Sequence, residues 1–188
     1  MITAGFAITG SFCTFSKAMA QMDKMVKAGF DVIPIMSNAA YETDTRFGRA
    51  IDFRNRAIDI TGHNIIHTIV DAEPIGPKSM FDILVIVPAT GNTIAKLANG
   101  INDTPVTMAA KAHLRGGKPL VIAVSTNDAL SSAAQNIGKL LNTKNIFFVP
   151  MKQDDPNKKP NSIVANFELV LPTVKAALEG KQIQPIFI

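Results

Sequence analysis

The sequence predicts a three-layer α/β/α fold built on a doubly wound parallel sheet of about six strands, in the Rossmann-like order 3-2-1-4-5-6. Three observations predict it. Short β-rich runs alternate with helical patterns along the whole chain. Several of those runs are apolar on both faces, as strands covered by helices on each side must be. The length, 188 residues, suits one domain with a full core and is short for two, so residues 1–188 are read as a single domain.

The strands are read at 5–9 (GFAIT), 31–36 (DVIPIM), 65–70 (IIHTIV), 82–87 (DILVIV), 119–125 (PLVIAVS) and 145–149 (NIFFV). After the first, Phe15, Met19, Met22 and Val26 keep helical spacing, and Gly29 stops that helix. A second helix is expected over 46–60, with Arg46, Arg49, Arg54 and Arg56 making it basic. Others are expected over 92–99, 104–115 and 129–142. From Ser162 onward, Ile163, Val164, Phe167, Val170, Leu171, Val174 and Leu178 recur at helical spacing, with Pro172 kinking or dividing the helix. Residues 151–162 (MKQDDPNKKPNS) have the composition of a loop inside the fold.

Composition narrows the function. With 47% hydrophobic and 18% charged residues, the chain is globular rather than disordered. Its net charge of +4 is scattered, and basic residues do not interleave with aromatic ones, which argues against nucleic acid. The single cysteine, Cys13, allows no internal disulfide and favours a reducing compartment. No basic leader precedes the apolar N-terminus, and no apolar run approaches membrane-spanning length, so the cytoplasm is the expected location, without a membrane partner.

The chemistry concentrates where strands end. The first ends in TGSFC (9–13), the second in Ser37-Asn38, the fourth in PATGNT (88–93) and the fifth in Ser125-Thr126-Asn127-Asp128. In such sheets ligands bind outside the carboxyl ends of the strands, at the switch between the first and fourth. Gly10 lets the backbone come close to a ligand, the helix start after it offers N–H groups to a phosphate, and Ser11 and Ser37 add hydroxyls. Asn92 and Thr93 suit a flat polar heterocycle or its sugar chain. Taken singly, each of these residues reads as a helix cap; four junctions on one rim read as a binding site. Neither G-x-G-x-x-G nor a Walker A sequence occurs, so a mononucleotide with one phosphate fits better than NAD or ATP.

ITGS at the first strand end, Ser37 and PATGNTIAKLANGIND (88–103) together resemble the homo-oligomeric flavin-containing decarboxylase superfamily, whose members bind FMN. The resemblance assigns Pro88, Ala89, Thr90, Asn92 and Thr93 to the flavin, and Gly10, Ser11 and Ser37 to its phosphate; Ser125 and Asn127 complete the cofactor set. It also implies trimers or dodecamers. Thr45-Arg46-Phe47-Gly48, AEPIGPK (72–78), PVTMAAKA (105–112), STNDAL (125–130), TKNIFFVP (143–150) and QDDPNKKPNS (153–162) narrow the likeness to the B-subunit family of dipicolinate synthases, along essentially the whole chain. That likeness implies a sporulation role in the mother cell, a small dicarboxylate substrate, and an A-subunit partner carrying NAD(P). One departure stands out. The decarboxylases carry P-x-M-N after the fifth strand, whereas this chain has Val124-Ser125-Thr126-Asn127, keeping only the Asn.

The candidates for catalysis are Arg46, His67 and Asn127. Arg46, beside Arg49 behind the polar turn SNAAYETDT (37–45), offers a guanidinium fork to a dicarboxylate if that turn folds over the site as a lid. His67 reads first as a core or rim histidine in an apolar strand, and second as a base. His63 and His113 read as surface residues, Cys13 as a small buried hydrophobe, and the eight methionines as core filler. No spacing suggests a metal site. The functions open at this point are a flavin-binding subunit helping to oxidise a dihydropyridine dicarboxylate, a decarboxylase or prenyltransferase of the same superfamily, and a non-catalytic scaffold.

Overall fold

The computed structural model describes residues 1–188. Five strands run parallel: β1 (Thr3–Ile8), β2 (Asp31–Met36), β3 (Ile83–Ala89), β4 (Leu120–Thr126) and β5 (Ile146–Phe148), side by side as β2-β1-β3-β4-β5. Alternate residues of each strand face opposite layers, and two core clusters of 26 and 25 buried residues lie one on each side. Both faces are therefore covered, which explains why these strands are apolar throughout. In β1, Gly5 is required by packing: a Cβ there would stand 2.6 Å from the Phe81 ring.

Helices α1 (Phe15–Lys27), α2 (Asn38–Glu42), α3 (Ala50–Thr61), α4 (Ile69–Ala72), α5 (Gly91–Ala98), α6 (Pro105–Arg115), α7 (Ala134–Leu141) and α8 (Val170–Leu178) fill the connections. Helix α1 turns Phe15, Ala18, Met19, Met22 and Met25 inward, and Gly29 follows it at φ 89°. The φ of Gly29 lies in the left-handed region that glycine alone adopts cheaply.

Four expectations are corrected. Residues 65–70 do not form a strand. Ile66 makes one isolated parallel bridge to Ile35, which keeps the third strand's expected place beside β2, and Thr68 then caps α4 by accepting from the Asp71 amide. Residues 151–162 are not a loop. They belong to a hairpin of β6 (Met151–Asp155) and β7 (Lys159–Ala165), which pair antiparallel. Through Ser125↔Val164 and Thr126↔Ile163 this hairpin extends the far end of β4, making the sheet mixed. The helix read from Ser162 begins only at Val170, because Ile163 and Val164 are spent in β7. Pro172 falls in the first turn of α8, where a missing N–H costs little, and neither kinks nor divides it. Finally, α3 starts at Ala50 rather than 46 and α7 at Ala134 rather than 129, each after a turn.

Two side chains also differ from expectation. His113 is buried at 3% exposure on α6, with Nε2 2.9 Å from the Pro119 carbonyl; burial lowers its pKa below the ordinary value. Cys13 is exposed at the rim rather than buried.

Candidate functional site

The carboxyl ends of β1, β2, β3 and β4 open into two adjoining hollows that share Gly10 and Thr90. The first, about 390 Å³, is walled by Thr9, Gly10, Ser37, Asn38, Ala39, Thr90, Asn92, Thr93, Lys96 and Thr104. The second, about 470 Å³, runs from Gly10 through Lys17, past Ser125, Thr126 and Asn127, to Asp154, Lys159 and Ser162 of the hairpin. Both volumes suit small-molecule sites, which span roughly 300–1,000 Å³.

The ridge between the hollows is tied down by one hydroxyl. Thr9 Oγ1 donates to the Pro88 carbonyl at 2.8 Å and accepts from the Thr90 amide at 3.1 Å, fixing the end of β3 to the end of β1. In the first hollow the polar side chains double as caps. Ser37 accepts from the Ala40 amide at 3.2 Å and Thr90 from the Thr93 amide at 3.3 Å. Thr104 forms a capping box with Thr107 at the start of α6.

The second hollow is built otherwise. A 3₁₀ turn over Phe12–Thr14 follows Ser11 with no side chain capping it, so the amides at its start keep their donors free. Ser11 Oγ lies 2.8 Å from Ser125 Oγ, joining the ends of β1 and β4. Beyond it, Asp128 accepts from Thr126 Oγ1 at 2.5 Å and from Ser132 Oγ at 2.6 Å, and those hydroxyls lower its pKa. Gly91 is the close-approach glycine here: a Cβ would lie 2.7 Å from both Asp128 Oδ1 and Thr126 Oγ1. At Gly10, in contrast, a Cβ would meet nothing nearer than Ala39 Cβ at 3.5 Å. The polypeptide alone does not demand glycine at Gly10, and a Cβ would protrude into the shared rim.

The sequence candidates divide accordingly. Gly10, Ser37, Thr90, Asn92 and Thr93 meet in the first hollow, and Gly10, Ser11, Thr90, Ser125 and Asn127 in the second. Pro88 and Ala89 are buried within β3 and line neither; the Pro88 carbonyl serves the Thr9 bond. Arg46 is exposed in a turn closed by Thr45 and Gly48, its guanidinium 4.9 Å from the Phe47 ring, and it reaches neither hollow. Within the segment expected as a lid, Ser37 caps α2, and Ser37, Asn38 and Ala39 wall the first hollow. His67 stacks on Tyr41 with ring centroids 3.9 Å apart, and Arg54 lies over that same tyrosine at 4.4 Å. This layered trio borders a separate hollow of about 280 Å³ with Ile51 and Ile58. Lys17 and Lys159 of the second hollow escaped the sequence reading, because nothing local links a helical lysine to a hairpin.

The profile of the Flavoprotein family matches residues 2–171, and the chain belongs to that family. Within it, the chain is 46% identical over 184 residues to the B-subunit of dipicolinate synthase from Bacillus subtilis (strain 168), a match covering 98% of this chain and 92% of that relative. The crystal structure of the dipicolinate synthase B-subunit from Bacillus halodurans has the same architecture, with a TM-score of 0.92 at 46% identity over 100% of this chain and 96% of that one. The FMN-dependent cysteine decarboxylase SpaF shares the fold at a TM-score of 0.68 and 21% identity, over 95% and 98% of the two chains. No helix is long and apolar enough to cross a membrane.

Proposed function

We propose that this chain is the flavin-binding B-type subunit of a dipicolinate synthase, acting in the cytoplasm of the sporulating mother cell. Its partner is an A-type subunit carrying NAD(P), and together they aromatise dihydrodipicolinate to pyridine-2,6-dicarboxylate. The observation that supports this reading best is the pair of hollows meeting at Gly10 and Thr90, in a chain 46% identical to a subunit of that name.

The residues present fit FMN. Gly10 leaves bare backbone for the phosphoryl group, with Ser11 on one side, Ser37 on the other and the uncapped amides after Ser11 behind. Ser37 caps its helix as an acceptor and keeps its hydroxyl proton to donate outward, whereas Thr90 Oγ1 also lies 3.1 Å from Thr93 Oγ1, so those two hydroxyls share a hydrogen bond. Asn92 and Thr93 offer hydrogen bonds to the ring or the ribityl chain, and Thr9 holds the ridge beneath them. When bound, FMN supplies a two-electron acceptor beside the substrate. Removing two hydrogens from the dihydropyridine releases two electrons and two protons, and Ser125 and Asn127 stand in the second hollow, where polar groups would orient that ring. A cysteine decarboxylase fits less well, because Val124-Ser125-Thr126-Asn127 lacks the Pro and Met of the decarboxylase motif. Exposed Ile51 and Ile58, beside Tyr41 and His67, give an apolar face suited to assembly with further copies, as a trimer or dodecamer.

Titrating FMN into the protein tests the cofactor: Asn92→Ala should weaken binding by roughly 1–3 kcal/mol through one lost buried hydrogen bond. Co-production with an A-type partner tests the reaction. Dipicolinate should accumulate only when both chains are present, and full-rate synthesis by the A-type partner alone would refute the reading.

A further inference from the structure

The outer wall of the second hollow carries two ammonium groups from distant parts of the chain. Lys17 comes from α1 and Lys159 from β7. We propose that Lys17 and Lys159 together seat the two carboxylates of a small aromatic dicarboxylate, and so select a diacid over a monoacid. The proposal rests on the reading above and adds the residues that would recognise its substrate.

Three observations support it. First, Lys17 lies in the first turn of α1, where the helix dipole disfavours a cation, and that turn holds no acidic residue. Lys17 takes part in none of the ion pairs of the chain, so its natural counter-charge comes from outside. Second, Lys159 is held over the same hollow by Asp154 at 2.8 Å, an ion pair with 53% and 40% of its side chains exposed. Exposed pairs of this kind contribute little, so a ligand carboxylate can displace Asp154 cheaply. Third, other donors lining the same hollow, the Ser11–Ser125 hydroxyl pair and the Asn127 amide, can hydrogen-bond a ring nitrogen or a carboxylate oxygen. Arg46, the guanidinium that the sequence offered for this task, lines neither hollow.

The test is calorimetric titration of pyridine-2,6-dicarboxylate and pyridine-2-carboxylate into the FMN-treated full chain, comparing wild type with Lys17→Met, Lys17→Arg, Lys159→Met and Asp154→Asn. Each Lys→Met variant should lose about ten- to a hundred-fold in dicarboxylate affinity, the scale of one charge-assisted hydrogen bond. The preference for diacid over monoacid should collapse toward unity in both. Lys17→Arg should keep most of the binding, and Asp154→Asn should tighten it by removing the competing carboxylate. Undiminished diacid preference in the Lys→Met variants, weaker binding in Asp154→Asn, or no diacid binding by the wild type would overturn the proposal. Flavin fluorescence quenching, read on the same samples, reports separately on FMN. A chain that binds the diacid through these lysines but not FMN would sink the cofactor reading and leave this inference standing.

Discussion

The two hollows flanking Gly10 and Thr90 are made from the same kind of strand end, yet they spend their polar groups differently. In the first, Ser37, Thr90 and Thr104 each accept a hydrogen bond from the helix they introduce, so the hollow is rigid because its lining is also its scaffold. In the second, the 3₁₀ turn after Ser11 is uncapped, serine meets serine across two strands, and the far wall is a charged hairpin. The first hollow is pre-organised, and its one charged side chain, Lys96, is already paired with Asp103. The second keeps uncapped amide donors and carries Lys17, Asp154 and Lys159 on its wall.

The largest expected effect attacks the joint between them. Gly91→Ala would favour α5 by intrinsic propensity, but its Cβ would fall 2.7 Å from Asp128 Oδ1 and Thr126 Oγ1, which are locked to each other at 2.5 Å. The misfit should dominate, lowering stability by about 1–3 kcal/mol in urea unfolding. A stabilised variant would mean that the β3 and β4 loops are not docked. Next comes Thr90→Val, which keeps the shape and deletes the acceptor for the Thr93 amide. Loss of that cap should cost roughly 0.5–2 kcal/mol and weaken FMN binding with it, since scaffold and lining are one group here. If stability falls while FMN affinity holds, Thr90 serves only as a cap.

Much of this arrangement is legible in sequence, for a physical reason. A strand buried on both faces must be apolar along its length, so DILVIV (82–87) and PLVIAVS (119–125) announce themselves, and whatever small polar residues follow are strand ends by necessity. The hairpin was illegible because little of it is buried: Lys152, Gln153, Asp154 and Lys158 to Asn161 are exposed, and their strand state comes from pairing with each other and with β4. The segment IIHTIV misled in the opposite way. Its β-branched residues suit a strand, but only Ile66 is buried, while Ile69 and Val70 are exposed on the short helix that Thr68 initiates. Half of the candidate site was therefore readable, the half at parallel strand ends. Lys17 and Lys159 were not, because only the tertiary path of the hairpin brings them to one cavity.

A smaller effect probes the serine bridge of the second hollow. Ser125→Ala removes one partner of the 2.8 Å Ser11–Ser125 bond and leaves Ser11 with Thr14 Oγ1 at 3.2 Å, so the net loss should be about 0.5–1.5 kcal/mol. A double-mutant cycle with Ser11→Ala isolates the coupling, and coupling indistinguishable from zero would mean that the two loops are independent.

The smallest effect is a dependence on acid, carried on the second hollow's side by Asp128, whose partners are hydroxyls rather than a cation. The hydroxyls of Ser132 and Thr126 hold the Asp128 pKa below its usual 3.8, against a smaller opposing push from burial. A carboxylate with a lowered folded pKa binds its proton more weakly folded than unfolded. Its contribution to stability is therefore complete above the ordinary value and drains away as the pH falls through the folded one. Asp128 is only partly buried, so solvent screening keeps that contribution small. The stability difference between wild type and Asp128→Asn should thus stay constant from neutrality down to about pH 4 and narrow below it. Asp52, Asp103 and Glu168, whose pKa values ion pairs lower elsewhere, titrate equally in both proteins and cancel. A difference that ignores pH across that range would mean that the two hydroxyls hold the loop by shape rather than by the charge they surround.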